Sequence, residues 1–157
     1  MDLPHLDESG AARMVDVSTK SDTMRVAVAE ALVEMSVSVR DQIVAADLPK
    51  GDAAAVARIA AIQATKKTSE LIPLCHPLSI SSVEVQVDPA ESGIRLLVTV
   101  KTTGPTGVEM EALTGAAVGS LALYDMIKGV ERGARITHVQ LLEKSGGRSG
   151  HWRRDDL

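Results

Sequence analysis

Two neighbouring runs of alternating polarity limit what this chain can fold into. Val83, Val85 and Val87 alternate with Glu84, Gln86 and Asp88, and Ile94, Leu96, Val98 and Val100 alternate with Arg95, Leu97, Thr99 and Lys101. Period-two alternation puts apolar side chains on one face of a strand and polar ones on the other. The connector Pro89-Ala90-Glu91-Ser92-Gly93 has hairpin length and turn chemistry. An antiparallel hairpin with one face to be covered is therefore the first commitment of the sequence.

The covering elements are helical. Gly51-Asp52 opens one helix, with Asp52 as N-cap and Val56, Ile59, Ala60 and Gln63 on one face. Pro73 requires it to end near Ile72. Gly104-Pro105-Thr106-Gly107 precedes a second, long helix from about Val108 to Glu131, whose apolar stripe is Met110, Leu113, Ala117, Leu121 and Tyr124. Ser36 to Ala46 reads as a short helix, Arg13 to Ser18 as a short strand or extended segment, and Ala134 to Glu143 as a last strand. Thr23 to Met35 stays open: its alanines favour helix, while Val26, Val28 and Leu32 alternating with Ala27, Glu30 and Glu34 allow a strand. The order predicts an α+β fold, an antiparallel sheet with helices packed on one face. No repeat or long linker interrupts it, so the expected organisation is an N-terminal arm at 1–12, one domain at 13–150 and a C-terminal tail at 151–157.

The core has to be built from small side chains, because 157 residues hold one Trp, one Tyr and no Phe. Each small residue buries little area, at roughly 25 cal/mol per Å², so burying further surface against copies of itself is expected. A net charge of −4 leaves no basic field for nucleic acid. No apolar stretch approaches the ~20 residues that span a bilayer, and the acidic segment Met1 to Gly10 does not resemble a secretory signal. The lone Cys75 precludes an internal disulfide and suits a reducing compartment, so a soluble, cytoplasmic protein is expected.

Five places can carry chemistry, and each has an ordinary structural explanation beside the functional one. Leu74-Cys75-His76 is held between Pro73 and Pro77, which fixes the direction of a histidine able to bind phosphate or move protons; it is equally a structural corner. Glu109-Met110-Glu111 opens the long helix, where carboxylates either complement the helix dipole or hydrogen-bond a purine or pterin edge. Asp125 and Lys128 meet at i, i+3, as a surface ion pair or as an oriented proton donor. Lys50 precedes a helix start, as an anion ligand or a plain loop lysine. Lys144 to Gly150 is glycine-rich and basic, able to wrap a phosphate with Lys144 and Arg148, or to be a flexible tail. Glu111 and Asp125 share a helix face but lie about 21 Å apart along a straight helix, so a single compact ligand reaches both only if two subunits share a site. Gly115 and Gly119 permit close approach of another element, either a second subunit or the chain's own sheet. The four histidines show no short metal-ligand spacing.

These segments together resemble the cyclic pyranopterin monophosphate synthase family, also called molybdenum cofactor biosynthesis protein C. The resemblance runs from Met14-Val15-Asp16-Val17 through Lys50-Gly51-Asp52, Ala57-Arg58-Ile59-Ala60 and Ile72-Pro73-Leu74-Cys75-His76-Pro77-Leu78. It continues through Gly107-Val108-Glu109-Met110-Glu111-Ala112-Leu113-Thr114, Tyr124-Asp125-Met126 with Lys128, and Lys144-Ser145-Gly146-Gly147. It implies a ferredoxin-like subunit, in which Thr23 to Met35 is a strand, and a hexamer (a trimer of dimers) with sites at subunit boundaries. It also implies a lyase that converts (8S)-3',8-cyclo-7,8-dihydroguanosine 5'-triphosphate into cyclic pyranopterin monophosphate and diphosphate. Leu74, Cys75, His76, Glu109, Met110, Glu111 and Lys144 are then substrate-binding, and Asp125, Lys128 and Lys50 catalytic. No resident cofactor is implied, magnesium entering at most with the triphosphate. On this reading Lys128, oriented by Asp125, and Lys50 act as acid and base with pKa values tuned towards neutrality, His76 binds phosphate, and Lys144 with Arg148 stabilises the departing diphosphate. The rival is a non-catalytic ferredoxin-like module that senses a nucleotide or phosphate. An RNA-binding module is disfavoured by the acidic charge and the lack of strand aromatics.

Overall fold

The structure, a computed structural model, describes residues 5–154. The first four residues of the expected arm and the last three of the expected tail lie outside the described residues. The elements are β1 (Thr23–Glu34), α1 (Val37–Val44), α2 (Ala53–Lys66), α3 (Thr68–Leu71), β2 (Ile80–Ala90), β3 (Gly93–Gly104), α4 (Glu109–Ile127), β4 (Arg135–Ser145) and β5 (Trp152–Arg153). The strands form one sheet in the order β2-β3-β1-β4-β5, with every pairing antiparallel. Helical crossovers β1 to β2 and β3 to β4 around the β2–β3 hairpin make this the α+β, ferredoxin-like arrangement, with a short edge strand added.

The hairpin forms as its alternation requires, closing at the Ala90↔Gly93 pair. The ambiguous segment is β1, the strand between β3 and β4. Its alanines do not make a helix because both edges of its backbone are paired, with Ala29 opposite Val98 on one side and Leu141 on the other. Pairing on two sides outweighs propensity differences of well under 1 kcal/mol per residue. Ala27, Ala29, Ala31 and Val33 are fully buried on the helix-covered face. Small residues there let α4 lie close against β1. Residues 13–17 are outside any strand, leaving the extended alternative for that segment.

The helices differ from expectation in extent and in orientation. Asp52 caps α2 by accepting from the Ala55 N–H at 2.9 Å, but α2 ends at Lys66, and a separate short turn of helix, α3, carries the chain to Ile72. α4 stops at Ile127, with Lys128 as its C-cap. The buried side of α2 is Ala53, Ala57, Ala61 and Ala64, while Val56 and Ile59 are 42% and 56% exposed. In α4 the buried residues include Ala112, Gly115, Ala116, Gly119 and Leu123, while Met110 and Leu121 of the expected stripe are 37% and 57% exposed. The reason is proximity. A Cβ on Gly115 would stand 2.5 Å from Thr65 Oγ1, and one on Gly119 would stand 2.8 Å from Leu96 Cδ2. The two glycines therefore seat α4 against its own α2 and sheet, which resolves their alternative roles in favour of intrachain packing.

Candidate active site

Three elements converge at the N-terminal end of α4. The first is the corner after α3. A Cys75 N–H to Ile72 carbonyl bond of 3.1 Å closes a turn through Pro73, and the corner turns His76 towards the extended segment ahead of β1. There His76 Nε2 is 2.7 Å from the Val15 carbonyl oxygen. A carbonyl oxygen only accepts, so Nε2 carries the proton. The second element is the start of α4, which carries Glu109, Met110 and Glu111. The third is the extended segment ahead of β1, which brings Val15, Val17 and Lys20. Together with Leu74, Cys75, His76, Glu109, Met110 and Glu111 they line a cavity of about 430 Å³.

Two carboxyl groups, Glu109 and Glu111, open onto this cavity beside Lys20 and His76. Glu111 is 4% exposed. Burial pushes its carboxyl above the ordinary carboxylate range, against a lowering by its own backbone N–H and with a further, smaller rise from the neighbouring Glu109 charge. Burial, then the Glu111 charge, pushes the Cys75 thiol up. Thr65 Oγ1 donates to the Glu111 carbonyl oxygen at 3.1 Å, fixing that turn of α4 to α2.

A second cavity of about 1020 Å³ adjoins the first and shares Lys20, Thr106, Gly107 and Glu109 with it. Its remaining wall is basic: Arg25 from β1, Lys144 from the end of β4, and Arg148 from the glycine-rich loop. Arg25 Nε and Nη2 donate to the Gly104 and Pro105 carbonyl oxygens at 3.3 and 3.2 Å, which aims the guanidinium along the rim. Gly147, at φ +74°, leaves room for that guanidinium where a Cβ would collide with it. Lys144 Nζ lies 3.5 Å from Glu109 Oε1 and also contacts Ser149 Oγ, tying the acidic and basic walls together.

The other expected residues gather at the opposite end of α4. Lys128 Nζ is 2.7 Å from Asp125 Oδ1, and Lys50 Nζ lies 2.8 Å from the Asp125 carbonyl oxygen and 3.5 Å from Oδ2. A hydrogen bond to Lys128, then the charges of Lys128 and Lys50, holds the Asp125 carboxyl below its usual range, and Asp125 in turn raises the Lys128 ammonium. That direction is opposite to the tuning towards neutrality expected for Lys128, because the hydrogen bond and charge of the Asp125 carboxylate outweigh the effect of burial. Within one chain the expected residues thus form two groups about 21 Å apart along α4. Lys20, Arg25 and Thr106 were missed by sequence reasoning, since no short motif marks them; the alternation of β1 was the one available signal, and only for Arg25. Among the described residues no group of three or more His, Cys, Asp or Glu side chains is placed to hold a metal ion.

Comparison with known proteins places the chain in a family. Residues 14–147 match the model of the MoaC family. The chain belongs to the MoaC family. A relative from Streptomyces avermitilis, named cyclic pyranopterin monophosphate synthase, is 53% identical over 152 residues, which cover 97% of this chain and 89% of the relative. Both groups of expected residues fall inside the segment matched to the MoaC family, whereas His5, Arg148 and the edge strand β5 fall outside it.

Proposed function

We propose that this chain is a cyclic pyranopterin monophosphate synthase of molybdenum cofactor biosynthesis, releasing diphosphate from a cyclised dihydro-GTP. The observation that carries the reading is the pairing of an acid-lined cavity with an adjoining one walled by Lys20, Arg25, Lys144 and Arg148. Carboxyl groups accept from the N–H edge of a guanine-derived ring, and a neutral Glu111 can also donate. Four cations match a triphosphate and stabilise the charge that grows as diphosphate leaves. The relative's name and the family match support the same chemistry. The reading needs no resident cofactor, and magnesium arrives with the triphosphate if it is used. A cytoplasmic location belongs to the same reading; no helix among the described residues is long and apolar enough to cross a membrane.

The site is completed by a second copy. Between Ala112 and Tyr124, α4 has no charged residue, and on its outer side Ala117 is half-buried and Leu121 exposed. A helix apolar on all sides is a buried helix. Antiparallel packing of two α4 helices across a two-fold sets Asp125 and Lys128 of one copy beside the Glu111 cavity of the other. A hexamer built from such dimers is the assembly proposed. In that site Lys128, kept as an ammonium by Asp125, is the proton donor and charge stabiliser, and Lys50 is its partner. His76 meets phosphate by releasing Val15 from Nε2.

Single-turnover conversion of the cyclised dihydro-GTP, followed by diphosphate release, tests this. Conversion by the wild type with loss in Lys50→Ala and Lys128→Ala supports it. Tight binding without diphosphate release identifies a nucleotide-sensing module instead. Near-wild-type rates in both variants reject the catalytic assignment.

A further inference from the structure

A third cavity, of about 220 Å³, lies on the far side of the His76 corner. Its walls are hydroxyl-rich, with Thr65, Thr68 and Ser69, and its rim carries Lys66, Glu70 and Pro77, all three exposed to solvent. It shares His76, Leu78 and Glu111 with the substrate cavity. The wall between substrate and this opening to water is therefore one apolar side chain and two titratable ones. Of these, Glu111 is the buried one, set on α4 where the substrate cavity and the rear cavity meet.

We propose that Glu111 is a proton gate, passing protons between bound substrate and bulk water through the passage lined by Thr65, Thr68 and Ser69. The inference rests on the synthase reading and extends it, since Glu111 then does more than hold the base-derived end. In the forward step the Glu111 O–H bond breaks as its proton bonds to a lone pair on a substrate nitrogen or oxygen. The carboxylate left behind is reprotonated by water in the rear passage, which draws the proton from bulk; release of a proton by substrate runs the same steps backwards. A ring rearrangement in a closed site needs such exchange, because protons taken up and given off at several atoms have to reach solvent.

Burial favours the protonated form of this carboxyl. Glu109 lies two residues away on the same helix, Cys75 and His76 line the substrate cavity with Glu111, and Lys66 and Glu70 line the rear cavity with it. Burial and the Glu109 charge raise its carboxyl, so it retains a proton at pH values where exposed glutamates have lost theirs. The hydroxyl protons of Thr65 and Thr68 are committed to backbone carbonyls, Thr65 to Glu111 at 3.1 Å and Thr68 to Thr65 at 2.9 Å. Their oxygen lone pairs remain as fixed acceptors for water in the passage.

The test blocks the passage from behind without touching the substrate cavity. Ser69→Leu fills it, and Lys66→Trp covers its rim from an exposed position, which protects the test if the first variant folds poorly. The expected result is unchanged substrate affinity, a severalfold slower single-turnover rate and a larger solvent deuterium isotope effect. Glu111→Gln is expected to lose about a hundredfold in rate and to flatten the pH profile of the step. A second readout is independent of turnover. The infrared band of the protonated Glu111 carboxyl, identified by its loss in Glu111→Gln, should shift slowly into its deuterated position in Ser69→Leu and quickly in wild type. Wild-type rate, isotope effect and exchange in the blocked variants overturn the gate while leaving the synthase reading standing. Slowed exchange in a protein that shows no turnover overturns the synthase reading and keeps the passage.

Discussion

The Lys50 amine donates to the Asp125 backbone carbonyl at 2.8 Å, a contact between residues 75 apart in the chain. It draws a loop lysine to the last turn of α4, where carbonyl oxygens concentrate negative charge, and it places two ammonium groups around one carboxylate. Asp125→Asn removes the anion that raises the Lys128 ammonium. A lysine whose pKa is held up loses its proton only at higher pH, so the fall in rate with rising pH should begin at lower pH in the variant. The single-turnover rate should drop by about a hundredfold. A pH profile from neutral to alkaline checks both.

Residues that one chain separates by the length of a helix can meet across two chains. His76→Ala and Lys128→Ala, each inactive alone, should complement when unfolded together and refolded. Half of randomly formed dimers are mixed and each mixed dimer holds one intact site of two, so roughly a quarter of wild-type activity is expected. Persistent inactivity of the mixture would mean that each site is built within one subunit.

The buried Glu111 makes stability depend on pH in a stated direction. Its folded pKa lies above the ordinary 4.5, so folding holds its proton more tightly than the unfolded chain does. The stabilisation is fully present below the unfolded value and is lost as pH rises through the folded value. Glu111→Gln carries no such loss. The midpoint of thermal unfolding of the variant relative to wild type should therefore climb from acidic towards neutral pH.

Gly115 and Gly119 test the packing of α4. Alanine helps an isolated helix by about 1 kcal/mol over glycine, yet here each added methyl meets Thr65 or Leu96 inside contact distance. Overpacking of this kind costs about 1–3 kcal/mol. Both Gly→Ala variants should lower the denaturant midpoint, whereas Gly129→Ala, whose Cβ meets nothing within 4 Å, should not be destabilised by crowding.

The hairpin and the capped start of α2 were legible because their causes are local: alternation in one, an Asp side chain reaching an N–H three residues on in the other. The apolar stripes were misread for a reason that is also physical. Periodicity assigns the largest aliphatic residues to the core, but where two helices and a sheet come within a Cβ of each other, only Ala and Gly fit. Val56, Ile59 and Leu121 are accordingly turned outward. The site followed the same division. The Pro-framed His76 and the Glu109-Met110-Glu111 start of α4 announce themselves as short strings, whereas Lys20 and Arg25 join the basic wall only through folding of β1 and the segment ahead of it.

By itself the sequence determined the alternating hairpin, the breaks at Pro73 and Gly104–Gly107, the acidic and basic groups available for chemistry, and the strings that place the chain in its family. Tertiary structure decided that an alanine-rich segment is the strand paired with β3 and β4, that α4 turns its small residues inward, and that Glu111 stands between two cavities. Local patterns are written by bonds and dihedrals a few residues long, whereas pairing partners, burial and the field around a carboxyl depend on residues far away in the chain, which meet only once the whole sheet has closed.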